Sequence, residues 1–122
     1  MSRVLLVEDN ETTNFISKLA LRSAGLEDVD EVLNGMEACS YLEKGCPDII
    51  FLDINMPVMD GWEFLDEKKT KIPCKNVKVA MLTSSLRPSD RKKAENYPCV
   101  IAYLEKPLTK EKVEELKQKI AT

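Results

Sequence analysis

The chain has 122 residues, 43% of them hydrophobic, with 18 basic and 21 acidic side chains, a net charge of −3 and no histidine. That length suits a single domain able to bury about two-thirds of its unfolded surface without further support. The near-balanced charge excludes a general attraction to nucleic acid or to an anionic membrane, and the lack of histidine and of any Cys-x-x-Cys pair excludes the common zinc sites. No apolar run approaches the roughly 20 residues of a membrane span, and the first strand begins too near Met1 to follow a signal peptide. The expectation is a cytoplasmic protein with Cys39, Cys46, Cys74 and Cys99 all reduced.

Val4 to Val7 is an apolar strand that ends in Glu8-Asp9-Asn10. From Glu11 to Ala24 the period becomes helical, with Phe15, Ile16, Leu19, Ala20 and Ala24 on one face and Gly25 as the stop. Val29 to Leu33, interrupted by Asp30 and Glu31, reads as an edge strand. After Asn34-Gly35, a helix over Met36 to Lys44 places Ala38 and Leu42 on one side and stops at Gly45. Ile49 to Leu52 is an unbroken apolar run, as in a strand buried on both faces, and it stops at Asp53. Pro57 and Asp60-Gly61 mark a loop before a helix over Trp62 to Lys69, which Lys71-Ile72-Pro73 breaks. Val77 to Leu82 is the fourth strand, ending in Thr83-Ser84-Ser85, and a short polar helix follows over Ser89 to Asn96. Val100 to Leu104 is the fifth strand, and Glu105-Lys106-Pro107 is the loop after it. Thr109 caps a last helix with Val113, Leu116 and Ile120 on its apolar face.

Strands alternating with helices five times over predict a doubly wound α/β fold with a five-stranded parallel sheet. Right-handed crossovers favour the order 2-1-3-4-5, the flavodoxin-like one, which puts the charged second strand at an edge and the first and third together at the centre. Glu8, Asp9 and Asp53 then meet at the carboxyl ends of neighbouring strands, where such sheets bind ligands. Each of these acids alone is readily a helix cap or a turn former. Together, at ~5 Å and an effective dielectric of ~20, each pair repels by about 3 kcal/mol, so the cluster needs a counter-charge. Oxygen ligands without histidine favour magnesium or manganese. Thr83 and Lys106 add a hydroxyl and a cation at the same rim. Acids, metal, hydroxyl and lysine form a cradle for a phosphoryl group, with Asp53 as the nucleophile.

The sequence resembles the response-regulator receiver domains of two-component signalling over essentially its whole length. The likeness is carried by L-L-V-E-D-N at 5–10, F-L-D-I-N-M-P-V-M-D-G at 51–61, M-L-T-S-S at 81–85 and Y-L-E-K-P-L at 103–108. The resemblance implies that Asp53 accepts a phosphoryl group from a histidine kinase or a histidine phosphotransfer protein. It implies magnesium ligation by Asp9 and Asp53 directly, by Glu8 through water and by Asn55 through its backbone carbonyl. Thr83 would bond a phosphoryl oxygen, Lys106 would pair with the group across a cis Lys106-Pro107 bond, and Tyr103 would be the aromatic that turns inward on activation. Asn55 and Ser85 stand where the family tunes the lifetime of the phosphoryl group.

The same resemblance implies donor docking on the first helix, with Asn14, Phe15 and Lys18 as contacts. Output would run through the fourth helix, fifth strand and fifth helix, where Arg87, Arg91, Lys92 and Lys93 offer positive charge to a downstream protein. A stand-alone receiver occupying residues 1–122 is expected, a monomer with dimerisation on activation left open, and no enzyme beyond its own phosphotransfer and autodephosphorylation. The alternative is an adaptor that uses the same fold without phosphorylation, which would call for a damaged site. A flavin carrier would want an anion-cradling loop where Glu8 and Asp9 stand, and a haloacid-dehalogenase-type phosphatase would want an acid at Asn55.

Overall fold

The computed structural model describes residues 3–70 and 74–121, with side chains described through residue 119. Five parallel strands form one sheet in the order β2-β1-β3-β4-β5: β1 Arg3–Val7, β2 Asp28–Val32, β3 Ile49–Leu52, β4 Lys78–Thr83 and β5 Val100–Glu105. The connecting helices are α1 Glu11–Ser23, α2 Gly35–Lys44, α3 Gly61–Lys68 and α4 Pro88–Ala94, with α5 Lys110–Ala121 closing the chain. This is the expected flavodoxin-like arrangement. A short 3-10 turn, Cys74–Asn76, precedes β4 and has no clear sequence signal. The expected break at Lys71-Ile72-Pro73 and the inward face of Ile120 lie outside the described residues.

Alternation along the central strands sorts the core onto the two faces. Leu5, Val7, Ile50, Leu52, Val79 and Met81 pack with residues of α2, α3 and α4. Val4, Leu6, Ile49, Phe51, Ala80 and Leu82 pack with α1 and α5. A strand covered on both faces has no polar side to alternate with, hence the unbroken apolar runs in β1 and β3. β2, with Asp30 and Glu31 exposed, is the expected charged edge.

Side-chain caps begin most of the helices. Asn10, Asn34 and Asp60 accept from the backbone N–H three residues on, at Thr13, Glu37 and Glu63. Asp60 and Glu63 complete a reciprocal capping box.

Two expectations are corrected. The face assigned to α1 is turned: Phe15 is 63% exposed, Ile16 40% and Leu19 46%. Ala20 and Ala24 are buried as expected, but Asn14, Ser17 and Leu21 are their inward-facing companions. Small side chains there let α1 lie close to the sheet and to α5, and they carry little hydrophobic signal in the sequence. The thiols are not all reduced either, because Cys46 and Cys74 form a disulfide across a 28-residue separation, with Cα atoms 5.5 Å apart. Both cysteines sit in connections entering neighbouring strands, a proximity that only the strand order creates. Cys39 and Cys99 are not in a disulfide.

Candidate functional site

β1 and β3 pair in register from Val4 with Ile49 to Val7 with Leu52, so the next residue of each strand, Glu8 and Asp53, must stand side by side. Asp53 N–H donates to the Val7 carbonyl at 3.1 Å and Glu8 N–H to the Val32 carbonyl at 3.0 Å, extending the ladder to the rim. Carboxylate oxygens of Glu8, Asp9 and Asp53 lie within 4.8 Å of one another. Glu8 and Asp53 are buried, whereas Asp9 is exposed at the mouth.

β4 and β5 supply the other half. Thr83, fully buried, ends β4, and its carbonyl accepts the Lys106 N–H at 2.9 Å. The Lys106 side chain reaches back over β4, with Nζ 2.6 Å from Glu8 Oε1 and 3.2 Å from Asp53 Oδ2. Asp53 Oδ1 accepts from the Ile54 N–H at 2.8 Å. The Lys106-Pro107 peptide bond is cis, as the resemblance implied.

Burial pushes the Glu8 carboxyl above the usual glutamate range; the Lys106 hydrogen bond opposes this, and the Asp53 charge adds to it. Burial pulls the Lys106 ammonium down, but its bond to Glu8 and the charges of Asp53 and Glu8 outweigh that and leave it raised. One lysine against three carboxylates leaves an excess of about two negative charges. An all-oxygen donor set with that excess fits a hard divalent cation.

The structure also shows contacts that the sequence did not reveal. Asn14 Nδ2 donates to the Glu8 carbonyl at 3.1 Å, so this residue braces the site from inside and is not a docking contact. Phe15 remains exposed, and Lys18 pairs with Glu31 at 3.3 Å. Asn10 N–H donates to Glu8 Oε2 at 3.1 Å. Ser85 is a junction: its N–H donates to Thr83 Oγ1 at 3.2 Å, its hydroxyl donates to Asp90 at 2.6 Å, and its carbonyl accepts the Tyr103 hydroxyl at 3.3 Å. The Arg91 guanidinium lies over the Tyr103 ring, 4.7 Å from its centre. Serine and aspartate five apart before a short helix are too common to have marked this connection in advance.

Asn55 is exposed, and a cleft of about 550 Å³ beside it is lined by Asp60, Trp62, Ser85, Arg87 and Asp90. Gly61 opens α3 against the back of Asp53. A Cβ there would fall 3.0 Å from the Ile54 Cα and closer still to the Asp53 carbonyl oxygen. Arg87, Arg91, Lys92 and Lys93 are all exposed on or beside α4, as expected, and Lys93 lies over the Trp62 ring at 4.9 Å.

A doubly wound sheet with three acids and a lysine converging at its switch point is the architecture of a class of α/β signalling domains. The family model described as "Response regulator receiver domain" matches residues 4–120, and the chain belongs to that family. It is 30% identical to chemotaxis protein CheY-3 of Vibrio cholerae over 118 residues, which is 97% of this chain and 90% of that protein. It is 39% identical to a protein-glutamate methylesterase/protein-glutamine glutaminase of Treponema denticola over 84 residues, 68% of this chain. The chain spans only 22% of that relative and 23% of the one from Archaeoglobus fulgidus.

Among solved structures, a two-component response regulator from Cytophaga hutchinsonii superposes with a TM-score of 0.86 at 33% identity, over 98% of this chain and 96% of that one. The receiver domain of a Pseudomonas aeruginosa sensor histidine kinase, solved with magnesium coordinated in its active-site cleft, gives 0.86 at 28% identity over 99% and 98%. The protein is therefore a CheY-like receiver domain of two-component signalling, a family whose members generally bind a divalent metal and interact with histidine kinases and downstream proteins. No described helix is long and apolar enough to cross a membrane.

Proposed function

We propose that this receiver takes a phosphoryl group on Asp53 from a histidine kinase or histidine phosphotransfer protein and uses it to switch a protein-binding face. The observation that carries the reading is the cluster of Glu8, Asp9 and Asp53 within 4.8 Å, with Lys106 bridging two of them. Asp53 Oδ1 is held by the Ile54 N–H, so Oδ2, facing Lys106, is the oxygen left to attack phosphorus. The phosphorus–nitrogen bond of the donor breaks as the phosphorus–oxygen bond forms, and the histidine leaves with its electron pair. Glu8, Asp9, Asp53 and the Asn55 carbonyl would hold magnesium or manganese, which when bound offsets the charge of the phosphoryl oxygens. Lys106 offsets the remainder.

The Thr83 hydroxyl accepts from Ser85 N–H. Turning toward a phosphoryl oxygen, it would pull on a residue already tied to Asp90 of α4 and to Tyr103 of β5. The charge change at Asp53 thereby biases the α4–β5–α5 face, where Arg91 and Lys92 suit an acidic partner. The exposed Phe15, Ile16 and Leu19, beside the site on α1, suit an apolar donor surface. The chain would act as a cytoplasmic monomer and catalyse nothing beyond gain and loss of its own phosphoryl group.

Incubation with acetyl phosphate and magnesium, followed by mass measurement, tests this. One phosphoryl group is expected, absent in Asp53→Asn and absent when the metal is chelated. An unmodified wild-type mass would leave the adaptor reading in possession.

A further inference from the structure

Lys112 occupies the third position of α5, counted from its cap Thr109, whose hydroxyl accepts the Lys112 N–H at 3.2 Å. A cation there is misplaced for helix stability, because the free N–H groups make a helix N-terminus electropositive. In α2 and α3 the same position is Glu37 and Glu63, and each carboxylate reaches back to accept a backbone N–H, from Leu33 at 2.9 Å and from Asp60 at 3.0 Å. With glutamate, α5 would have the same box, T-x-x-E.

Lys112 makes the reverse connection. Its ammonium donates to the Glu105 carbonyl at 2.6 Å and to the Pro107 carbonyl at 3.0 Å, the two acceptors that flank Lys106. The segment they belong to must deliver the Lys106 ammonium across β4 onto Glu8 and Asp53. The backbone N–H of Lys106 is tied to the Thr83 carbonyl at 2.9 Å.

We propose that Lys112 is a positioning residue that clamps the β5–α5 connection and so aims Lys106 at the phosphoacceptor. This rests on the proposed role of Asp53. α5 keeps Glu111 in its first turn but lacks the capping-box carboxylate at its third position, where a cation instead grips the two carbonyls on either side of Lys106. The clamp is solvent-exposed, so its effect is modest: a loss of about 3- to 10-fold in the rate at which acetyl phosphate phosphorylates Asp53.

Lys112→Glu separates aiming from stability. It is expected to raise or hold the melting temperature, by completing the capping box, while slowing phosphorylation by that factor. Lys112→Arg keeps the donors and should stay within about twofold of wild type. In a Lys106→Met background, Lys112→Glu should slow the residual reaction no further, since there is no ammonium left to aim. Unchanged phosphorylation in Lys112→Glu would overturn the proposal. So would an equal loss in the Lys106→Met background, which would make the effect one of general charge.

Hydrogen exchange of the Lys106 amide reads the clamp without any phosphodonor. It should speed up by about 3- to 10-fold in Lys112→Met while the Leu6 amide is unmoved, and no change would equally refute the clamp. A wild-type protein that takes no phosphoryl group would instead defeat the reading of Asp53, with the exchange result still deciding on Lys112.

Discussion

α1 and α5 lie side by side on the same face of the sheet, pack into the same cluster of core residues, and use their surfaces in opposite ways. α5 buries its large apolar side chains, Val113 and Leu116, and exposes charge. α1 buries Leu21 among the small or polar Asn14, Ser17, Ala20 and Ala24, and sends Phe15, Ile16 and Leu19 into solvent. The lesson is that a helix beside a reaction centre answers to two demands. α5 serves mainly the core, whereas α1 braces Glu8 with a polar side chain on its inner face and leaves three large apolar groups exposed.

Mutations can break that contrast or sharpen it. The largest loss should come from Leu116→Ala, which removes a buried side chain from the α5 side and should cost about 2–5 kcal/mol in a denaturant melt. Asn14→Ala should cost less, about 1–2 kcal/mol, by stranding the Glu8 carbonyl that Asn14 Nδ2 satisfies at 3.1 Å. A smaller effect is expected where the two helices meet. Lys117 of α5 donates to the Ala24 carbonyl at the end of α1 at 2.7 Å, and Lys117→Met should lose about 0.5–1 kcal/mol of stability in the same measurement. Phe15→Ser combined with Leu19→Ser should leave stability within about 0.5 kcal/mol. The same pair should slow phosphoryl transfer from a protein donor and leave the reaction with acetyl phosphate unchanged. Should that double variant unfold like Leu116→Ala, the contrast between the helices would be wrong.

Most of the architecture was legible because buried parallel strands announce themselves. Ile49 to Leu52 has no polar interruption, and an acid directly after such a run is informative because the sheet's geometry puts it at the rim. Glu8, Asp53, Thr83 and Lys106 were found on that basis, each by its place after a strand. The face of α1 was legible only in part: Ala20 and Ala24 are buried as expected, but counting large apolar residues also chose Phe15, Ile16 and Leu19, which are exposed. Packing against the sheet favoured Ser17, Ala20, Leu21 and Ala24. The Cys46–Cys74 bridge was hidden for a different reason: the cysteines lie 28 residues apart, and no local pattern reports which loops the fold brings together. Lys112 carries no local signal in the sequence, because only the folded β5–α5 connection brings its ammonium to the Glu105 and Pro107 carbonyls.

Gly61 carries no functional group, yet it limits where one can be placed. With hydrogen as its side chain, the start of α3 presses directly on the peptide of Asp53. Even a methyl group would have to displace that peptide or lift the helix, and in either case the Asp53 carboxylate would leave its alignment with Lys106. Evolution can therefore retune this centre, or silence it, from a site that no survey of reactive side chains would flag.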